Sequence, residues 1–105
     1  MNLTTQDYKT ILNYYNITHK SKTNTWIKRN AEDILANKLC RCIKKVKKQS
    51  NLKEPASIAI CKKSIFKKRN LKSGRFSCKK KRKLYKLKGQ PHKLNKTKRV
   101  IFSYK

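Results

Sequence analysis

The sequence predicts a small α+β protein with two amino-terminal helices, a short two-stranded β element and a basic, mostly disordered carboxy-terminal arm. Apolar residues recur at helical spacing in the first 48 residues, two later segments have the pattern of short strands, and apolar residues are sparse after Leu84. We therefore divide the chain into a helical part at 1–48, a basic cysteine-containing part at 49–83 packed on the second helix, and a basic tail at 84–105.

The first helix is predicted to begin near Gln6. Thr4 or Thr5 can cap it, and Asp7 lies in its first turn, where the helix dipole favours an acidic side chain. An apolar stripe follows at the i, i+3, i+4 and i+7 positions, formed by Tyr8, Ile11, Leu12 and Tyr15. Because the sequence then becomes polar, we expect the helix to end near residue 15 or 16.

The second helix is the most regular element, and Thr25 can cap it. For about twenty residues its apolar positions keep helical spacing. They are Ile27, Ala31, Ile34, Leu35, Leu39, Cys42, Ile43 and Val46. The opposite face carries Lys28, Arg29, Lys38, Arg41, Lys44, Lys45 and Lys48.

Two short strands are predicted beyond this helix. Residues 57–61 alternate and contain β-branched side chains, and residues 75–78 follow a Ser-Gly turn. Between them, Ser64 can cap one or two helical turns. Within the arm, residues 100–102 are expected to pair at a sheet edge.

Charge dominates the composition. The chain has 31 lysines and arginines against four acids, a net charge of +27, and residues 37–105 hold 26 of the basic side chains with Glu54 as their one acid. A compact chain with this charge repels itself, so we expect a polyanionic partner. Nucleic acid is the commonest polyanion, and an acidic membrane surface or an acidic protein is the alternative.

The basic residues of the second helix and of the segment after it are the candidate nucleic-acid contacts. They are Lys28, Arg29, Lys38, Arg41, Lys44, Lys45, Lys48, Lys62, Lys63, Lys67, Lys68, Arg69, Arg75, Lys79, Lys80, Lys81, Arg82 and Lys83. Most are lysines, which act as point charges, whereas arginine can contact guanine edges with two hydrogen bonds. This composition favours phosphate contact over sequence recognition. The run at 79–83 also resembles a nuclear-import signal in composition.

Other classes of protein are disfavoured. The longest apolar run is four residues, at 58–61, so we expect no membrane span, and the amino terminus lacks the pattern of a secretory signal. Glu32 and Asp33 are the one neighbouring pair of acids, and on a helix they point about 100° apart. Since they cannot act on one atom, we expect no enzyme.

The four cysteines, Cys40, Cys42, Cys61 and Cys78, allow three interpretations. Because no secretory signal is apparent, we expect a reducing compartment, in which two disulfides are not expected. One zinc ion held by four thiolates would compensate for a small core, but Cys40 and Cys42 point about 200° apart on a continuous helix. The second interpretation is that Cys42, Cys61 and Cys78 are core thiols and Cys40 is half-exposed, with no cofactor. The third is a pair formed by oxidation.

The pattern of residues 8–29 combines the first predicted helix, a polar, turn-rich link and the start of the second helix. Its stretches are Tyr8-Lys9-Thr10-Ile11-Leu12, Asn16-Ile17, Ser21 and Trp26-Ile27-Lys28-Arg29. They resemble the SAP motif, in which L-K-x-L-L is followed by Gly-Leu, a second glycine and a second helix. The resemblance implies binding to the DNA backbone. Both glycines are replaced here, and Thr23 stands where the family has lysine.

The strings ANKLCRCIKK at 36–45, CKKSIF at 61–66 and GRFSCKK at 74–80 combine cysteine and lysine. They resemble short Cys- and Lys-rich proteins encoded by large nucleocytoplasmic DNA viruses, and the Asn-, Lys- and Ile-rich usage fits an AT-rich genome. The resemblance implies a viral origin and a location in the virion or viral factory, without a mechanism.

Together, these patterns predict a protein that binds duplex DNA phosphates with little sequence specificity and that packages or condenses a viral genome. One alternative is an internal virion protein that bridges acidic virion partners, and another is a small RNA-binding protein. The expected location is intracellular, in the virion, the viral factory or the host nucleus.

Overall fold

The computed structural model describes residues 2–51, 53–79, 81–86, 89, 92–99 and 101, and it confirms the α+β class with a long second helix. The helices are α1 (Thr5–Tyr14), α2 (Asn24–Ser50) and α3 (Glu54–Ile65), with a 3-10 turn at Lys67–Arg69. The strands are β1 (Leu71–Ser73), β2 (Arg75–Ser77), β3 (Lys83–Tyr85) and β4 (Leu94–Lys96). β1 pairs antiparallel with β4 and β2 with β3, so the described strands form two small sheets.

Helix α1 begins where its capping residues predict. The Thr4 hydroxyl accepts a hydrogen bond from the Asp7 backbone N–H at 3.2 Å, and an Asp7 carboxylate oxygen accepts one from the Thr4 N–H at 2.8 Å. This reciprocal pair is a capping box, which satisfies backbone donors that a helix start leaves without partners. The same carboxylate oxygen also lies 2.8 Å from the Lys96 ammonium of β4.

Helix α2 is the central element of the core. Thr23, rather than Thr25, caps it, because the Thr23 hydroxyl accepts from the Trp26 N–H at 3.1 Å. Asn51 ends it in the left-handed backbone conformation, with φ of 53°, which asparagine tolerates well. The predicted apolar face is the buried one, and its fully or nearly fully buried members are Ile27, Ala31, Leu35, Leu39 and Ile43.

The strand predicted at 57–61 is wrong, because these residues belong to α3. Pro55 lies in the first turn of this helix, where a missing N–H breaks no helical hydrogen bond. Ser57 and Cys61 are four residues apart and both fully buried, whereas Ile60 is 46% exposed. The buried residues of this segment are thus spaced as in a helix and not at every second position. The alternation of apolar and polar residues in the sequence therefore did not identify the correct secondary structure.

The predicted disorder of the arm needs correction for its described residues. Leu84 of β3, Leu94 of β4 and Ile101 are 1%, 0% and 5% exposed and belong to the core. Of the segment expected to pair at an edge, Ile101 is buried outside any named strand, and residues 100 and 102 lie outside the described residues. β3 and β4 each contribute one leucine to a core that the helices already form. A segment with few apolar residues can therefore still be ordered by packing against that core.

The contact between Asp7 and Lys96 ties β4 to the start of α1. Burial raises the pKa of Asp7, but the hydrogen bonds from Lys96 and Thr4 outweigh it, so the pKa lies below the ordinary 3.8. A lowered folded-state pKa contributes stability above the unfolded pKa, and that stability is lost as the pH falls through the folded value.

Changing Lys96→Met should therefore lower the free energy of unfolding by about 2 kcal/mol at neutral pH, because it leaves a largely buried carboxylate without its cation. Urea unfolding at a series of pH values measures the effect. The difference between variant and wild type should shrink in acid, where Asp7 is protonated. The matched control Lys98→Met, at an exposed position, should leave stability unchanged. Equal effects of the two changes would contradict this account.

Candidate nucleic-acid interface

A groove of about 1040 Å³ lies between the carboxy-terminal half of α2, helix α3 and the β1–β2 segment. Its apolar side chains include Ile43, Ile58 and Phe76. Its basic side chains are Lys44, Lys47, Lys48, Lys62, Arg75 and Lys79. We call this feature the basic groove. Of the described residues that line it, Glu54 alone is acidic.

One wall of the basic groove is the last part of α2. Lys44, Lys47 and Lys48 have i, i+3 and i+4 spacing, so they share one side of the helix. All three are exposed, and the last two lie in the final turn, where the helix dipole favours cations. The wall therefore presents three positive charges in little more than one turn.

The opposite wall consists of α3 and the β1–β2 segment. The Lys62 ammonium of α3 donates to the Gly74 carbonyl at 3.5 Å and lies 5.4 Å from the centre of the Phe76 ring. Phe76 is half-buried and pairs with Leu84 in the β2–β3 register. Lys62 thus connects α3 to the strands, directly above an aromatic ring on the groove surface.

Two disulfides position these walls. Cys40 of α2 bonds to Cys78 after β2, with Cα atoms 5.6 Å apart, and both residues line the groove. Cys42 bonds to Cys61 of α3, with Cα atoms 5.8 Å apart. The two cysteines of α2 therefore form disulfides with different partners, as expected for side chains that point about 200° apart on the helix.

This pairing corrects the cysteine predictions. The expectation against two disulfides is wrong, and so is the core-thiol interpretation, since Cys40 is buried and Cys78 is exposed. Oxidation, considered for one pair, accounts for all four cysteines. The spacing of the cysteines along the chain could not identify the disulfide partners, because Cys61 lies on α3, a helix that the sequence pattern did not predict.

Among the described residues, no group of three or more His, Cys, Asp or Glu side chains is placed to hold a metal ion. A zinc site at the four cysteines would require both disulfides to be reduced, because zinc binds thiolates. The zinc site stays a prediction.

Lys28 and Arg29 lie far along α2 from the basic groove, beside Glu32. The Glu32 carboxylate is 5% exposed, with one oxygen 3.9 Å from the Lys93 ammonium. Burial raises the pKa of Glu32, although Lys93 and Lys28 act in the opposite direction. Lys28 also lies 3.5 Å from a ring nitrogen of His92. Lys28 is therefore partly engaged with the fold, whereas Arg29 is exposed.

Three further candidates contact other parts of the fold. Lys38 lies over the Tyr15 ring, with its ammonium 5.3 Å from the ring centre. Arg69 donates to the Ser64 carbonyl and the Tyr14 hydroxyl, and Arg82 donates to the Asn37 side chain. These contacts connect elements of the protein and reduce the freedom of the three side chains to bind a ligand.

The structure brings five of the predicted contacts into the basic groove and leaves the others elsewhere. The five are Lys44, Lys48, Lys62, Arg75 and Lys79. Exposed candidates that do not line the groove are Arg41, Lys45, Lys63, Lys67, Lys68, Lys81 and Arg82. Lys83 is half-buried in β3, and Lys80 lies outside the described residues.

Sequence reasoning missed Lys47 and Phe76 as members of this site. The helical spacing of Lys47 from Lys44 could have identified it, since residues three apart share a helix side. No sequence signal indicated Phe76, because its place in the groove depends on how β2 packs against α2 and α3.

The segment that resembles the SAP motif forms a helix, a link without regular structure and a second helix. Asn16 and Ser21, which stand at the two family glycine positions, have φ of 60° and 62°. This left-handed region favours glycine and is uncommon for other residues. The chain therefore takes a glycine-like backbone at both positions without glycine.

In the part of the chain that the structure describes, no helix is long and apolar enough to cross a membrane. Comparisons with protein-family models, with curated proteins and with solved structures find no match.

Proposed function

We propose that this chain binds duplex DNA through its phosphates, with little sequence preference, and that it serves to package or condense a viral genome. The observation that carries the proposal is the convergence of six basic side chains on the basic groove of a protein with a net charge of +27. A phosphate backbone supplies closely spaced negative charges, and binding releases the counterions that surround it.

The placement of acidic side chains supports a polyanionic partner. Asp7 forms an ion pair with Lys96, and the buried Glu32 forms one with Lys93. Two of the four acidic side chains therefore interact with cations of the protein itself. Neither lines the basic groove, where Glu54 faces six cations. The groove therefore keeps a strong positive charge that an external anion can neutralise.

The use of arginine supports weak sequence preference. The chain has six arginines, and two of them, Arg69 and Arg82, donate hydrogen bonds within the protein. Arg75 is the single arginine among the described groove residues, and the other cations there are lysines. Lysine contacts phosphate as a point charge, without the paired donors that distinguish guanine.

The glycine-like backbone at Asn16 and Ser21 supports the SAP resemblance, because these are the positions where that family has glycine. A SAP-like segment at 8–29 would add a second contact with the DNA backbone. The resemblance to Cys- and Lys-rich viral proteins supports the packaging role.

Removing three charges from the groove tests the proposal. The triple change Lys44→Ala, Lys47→Ala and Lys48→Ala should weaken binding to unrelated duplexes by a similar factor. It should also make the plot of log affinity against log salt shallower by about 2.7, because each phosphate that the protein neutralises adds roughly 0.9 to the slope. Fluorescence anisotropy with labelled duplexes at several salt concentrations measures both effects.

The matched control removes the same charge elsewhere, through Lys72→Ala, Lys98→Ala and Arg99→Ala, which are exposed and do not line the groove. It should change the salt dependence much less. Equal losses from the two triple variants would show that net charge, and not the groove, controls binding. Tighter binding to duplex RNA or to an acidic polypeptide than to DNA would favour the alternative partners and overturn the proposal.

A further inference from the structure

We infer that the basic groove accepts unpaired nucleobases, so that the protein holds single-stranded nucleic acid with its bases on Phe76 and its phosphates on the surrounding lysines. This inference rests on the proposed function and adds single strands to the duplex DNA that the groove contacts through phosphates. A duplex keeps its bases stacked between two backbones, so it can contact the groove only through phosphates.

The groove has the two features that sequence-tolerant single-strand binding uses, an aromatic surface and a path of positive charge. Phe76 supplies the ring, with Ile43 and Ile58 as apolar neighbours. The volume of about 1040 Å³ is at the upper end of the range for clefts that enclose small organic ligands. Bases and sugars from a short stretch of chain can therefore enter it.

Lys62 indicates how the aromatic surface is used. Its ammonium lies 5.4 Å from the Phe76 ring centre and 3.5 Å from the Gly74 carbonyl, so a cation covers the ring when nothing else is bound. An entering base can replace this ammonium on the ring by stacking. The displaced Lys62 ammonium can then form an ion pair with the phosphate that follows the base.

Charge favours a nucleic acid over an acidic protein segment as the occupant. Six cations surround one groove, with Glu54 as the one acid among its described residues. A phosphodiester strand brings one negative charge for every base that it places on the apolar surface. A protein helix can direct only some of its side chains into such a groove, so it cannot match this ratio of charge to apolar contact.

The test compares a labelled oligothymidylate with an abasic strand of the same length by fluorescence anisotropy. The base-containing strand should bind about tenfold more tightly, as expected when a base stacks on an aromatic side chain. Phe76→Leu should remove most of this preference, whereas Phe76→Tyr, which keeps the ring, should retain it. Circular dichroism and thermal unfolding establish that each variant is folded.

Binding of duplex DNA separates this inference from the proposed function. Phe76→Leu should weaken binding of duplex DNA much less than binding of the base-containing strand, because paired bases do not stack on the ring. Equal affinity for normal and abasic strands, equal behaviour of the leucine and tyrosine variants, or equal competition by polyglutamate would each overturn the inference. Those results leave duplex binding intact if the proposed function is right, whereas absence of duplex binding would overturn the proposed function itself.

Discussion

Replacing Cys40 and Cys78 together by alanine should lower the free energy of unfolding by about 4 kcal/mol. The disulfide joins residues 38 positions apart, and a loop of that length restricts the unfolded chain by roughly this amount. The corresponding change at Cys42 and Cys61, whose separation is 19, should cost about 3 kcal/mol. Urea unfolding without reductant measures both values.

Single cysteine variants distinguish a disulfide from independent thiols. Cys40→Ala and Cys78→Ala should destabilise the protein to a similar extent, because each breaks the same bond, although Cys40 is buried and Cys78 is exposed. Independent thiols would give a large effect at Cys40 and almost none at Cys78. Reductant should bring the stability of the wild type toward that of the variants, and no change on reduction would contradict the disulfide.

Truncating Leu94 to alanine should cost about 2–5 kcal/mol, because this side chain is fully buried and its loss leaves a cavity. Deleting residues 93–105 should be more damaging, since it also removes Ile101, the β4 partner of β1 and the cation beside Asp7. Thermal unfolding followed by circular dichroism measures both variants. The exposed change Lys98→Ala is the control and should leave the transition unchanged.

A disordered arm would give the opposite result. The shortened protein would keep the unfolding temperature of the full chain and lose only charge. Such an outcome would show that β4 contributes nothing to the core and would restore the boundary that the sequence suggested at residue 84.

The amino-terminal half was predictable because its signals are local. Thr4 and Asp7 are three residues apart, as a capping box requires, and the stripe from Ile27 to Ile43 repeats at helical spacing often enough to identify α2. Each of these patterns lies within a single element. They needed no knowledge of how the elements pack.

The second half was less predictable because its signals depend on distant partners. The sequence of residues 57–61 alternates as in a strand. Ser57 and Cys61, however, are one helical turn apart in α3, and both are buried. β3 and β4 have three residues each, too few for periodicity to identify. Their pairing with β2 and β1 becomes apparent only in three dimensions.

The candidate site was predicted in composition but not in arrangement. Charge along the chain identified Lys44, Lys62 and Arg75 as nucleic-acid contacts. Their convergence depends on α3 lying against α2 and on the disulfide from Cys40 to the end of β2. A prediction with residues 57–61 as a strand could not have placed these cations around one groove.

The dependence of duplex affinity on salt concentration tests the central claim most directly. If the protein neutralises about eight phosphates, log affinity should fall linearly with log salt, with a slope near −7. Duplexes of equal length and unrelated sequence should bind with similar affinity at each salt concentration. A flat response to salt, or strong preference for one sequence, would contradict phosphate-directed binding.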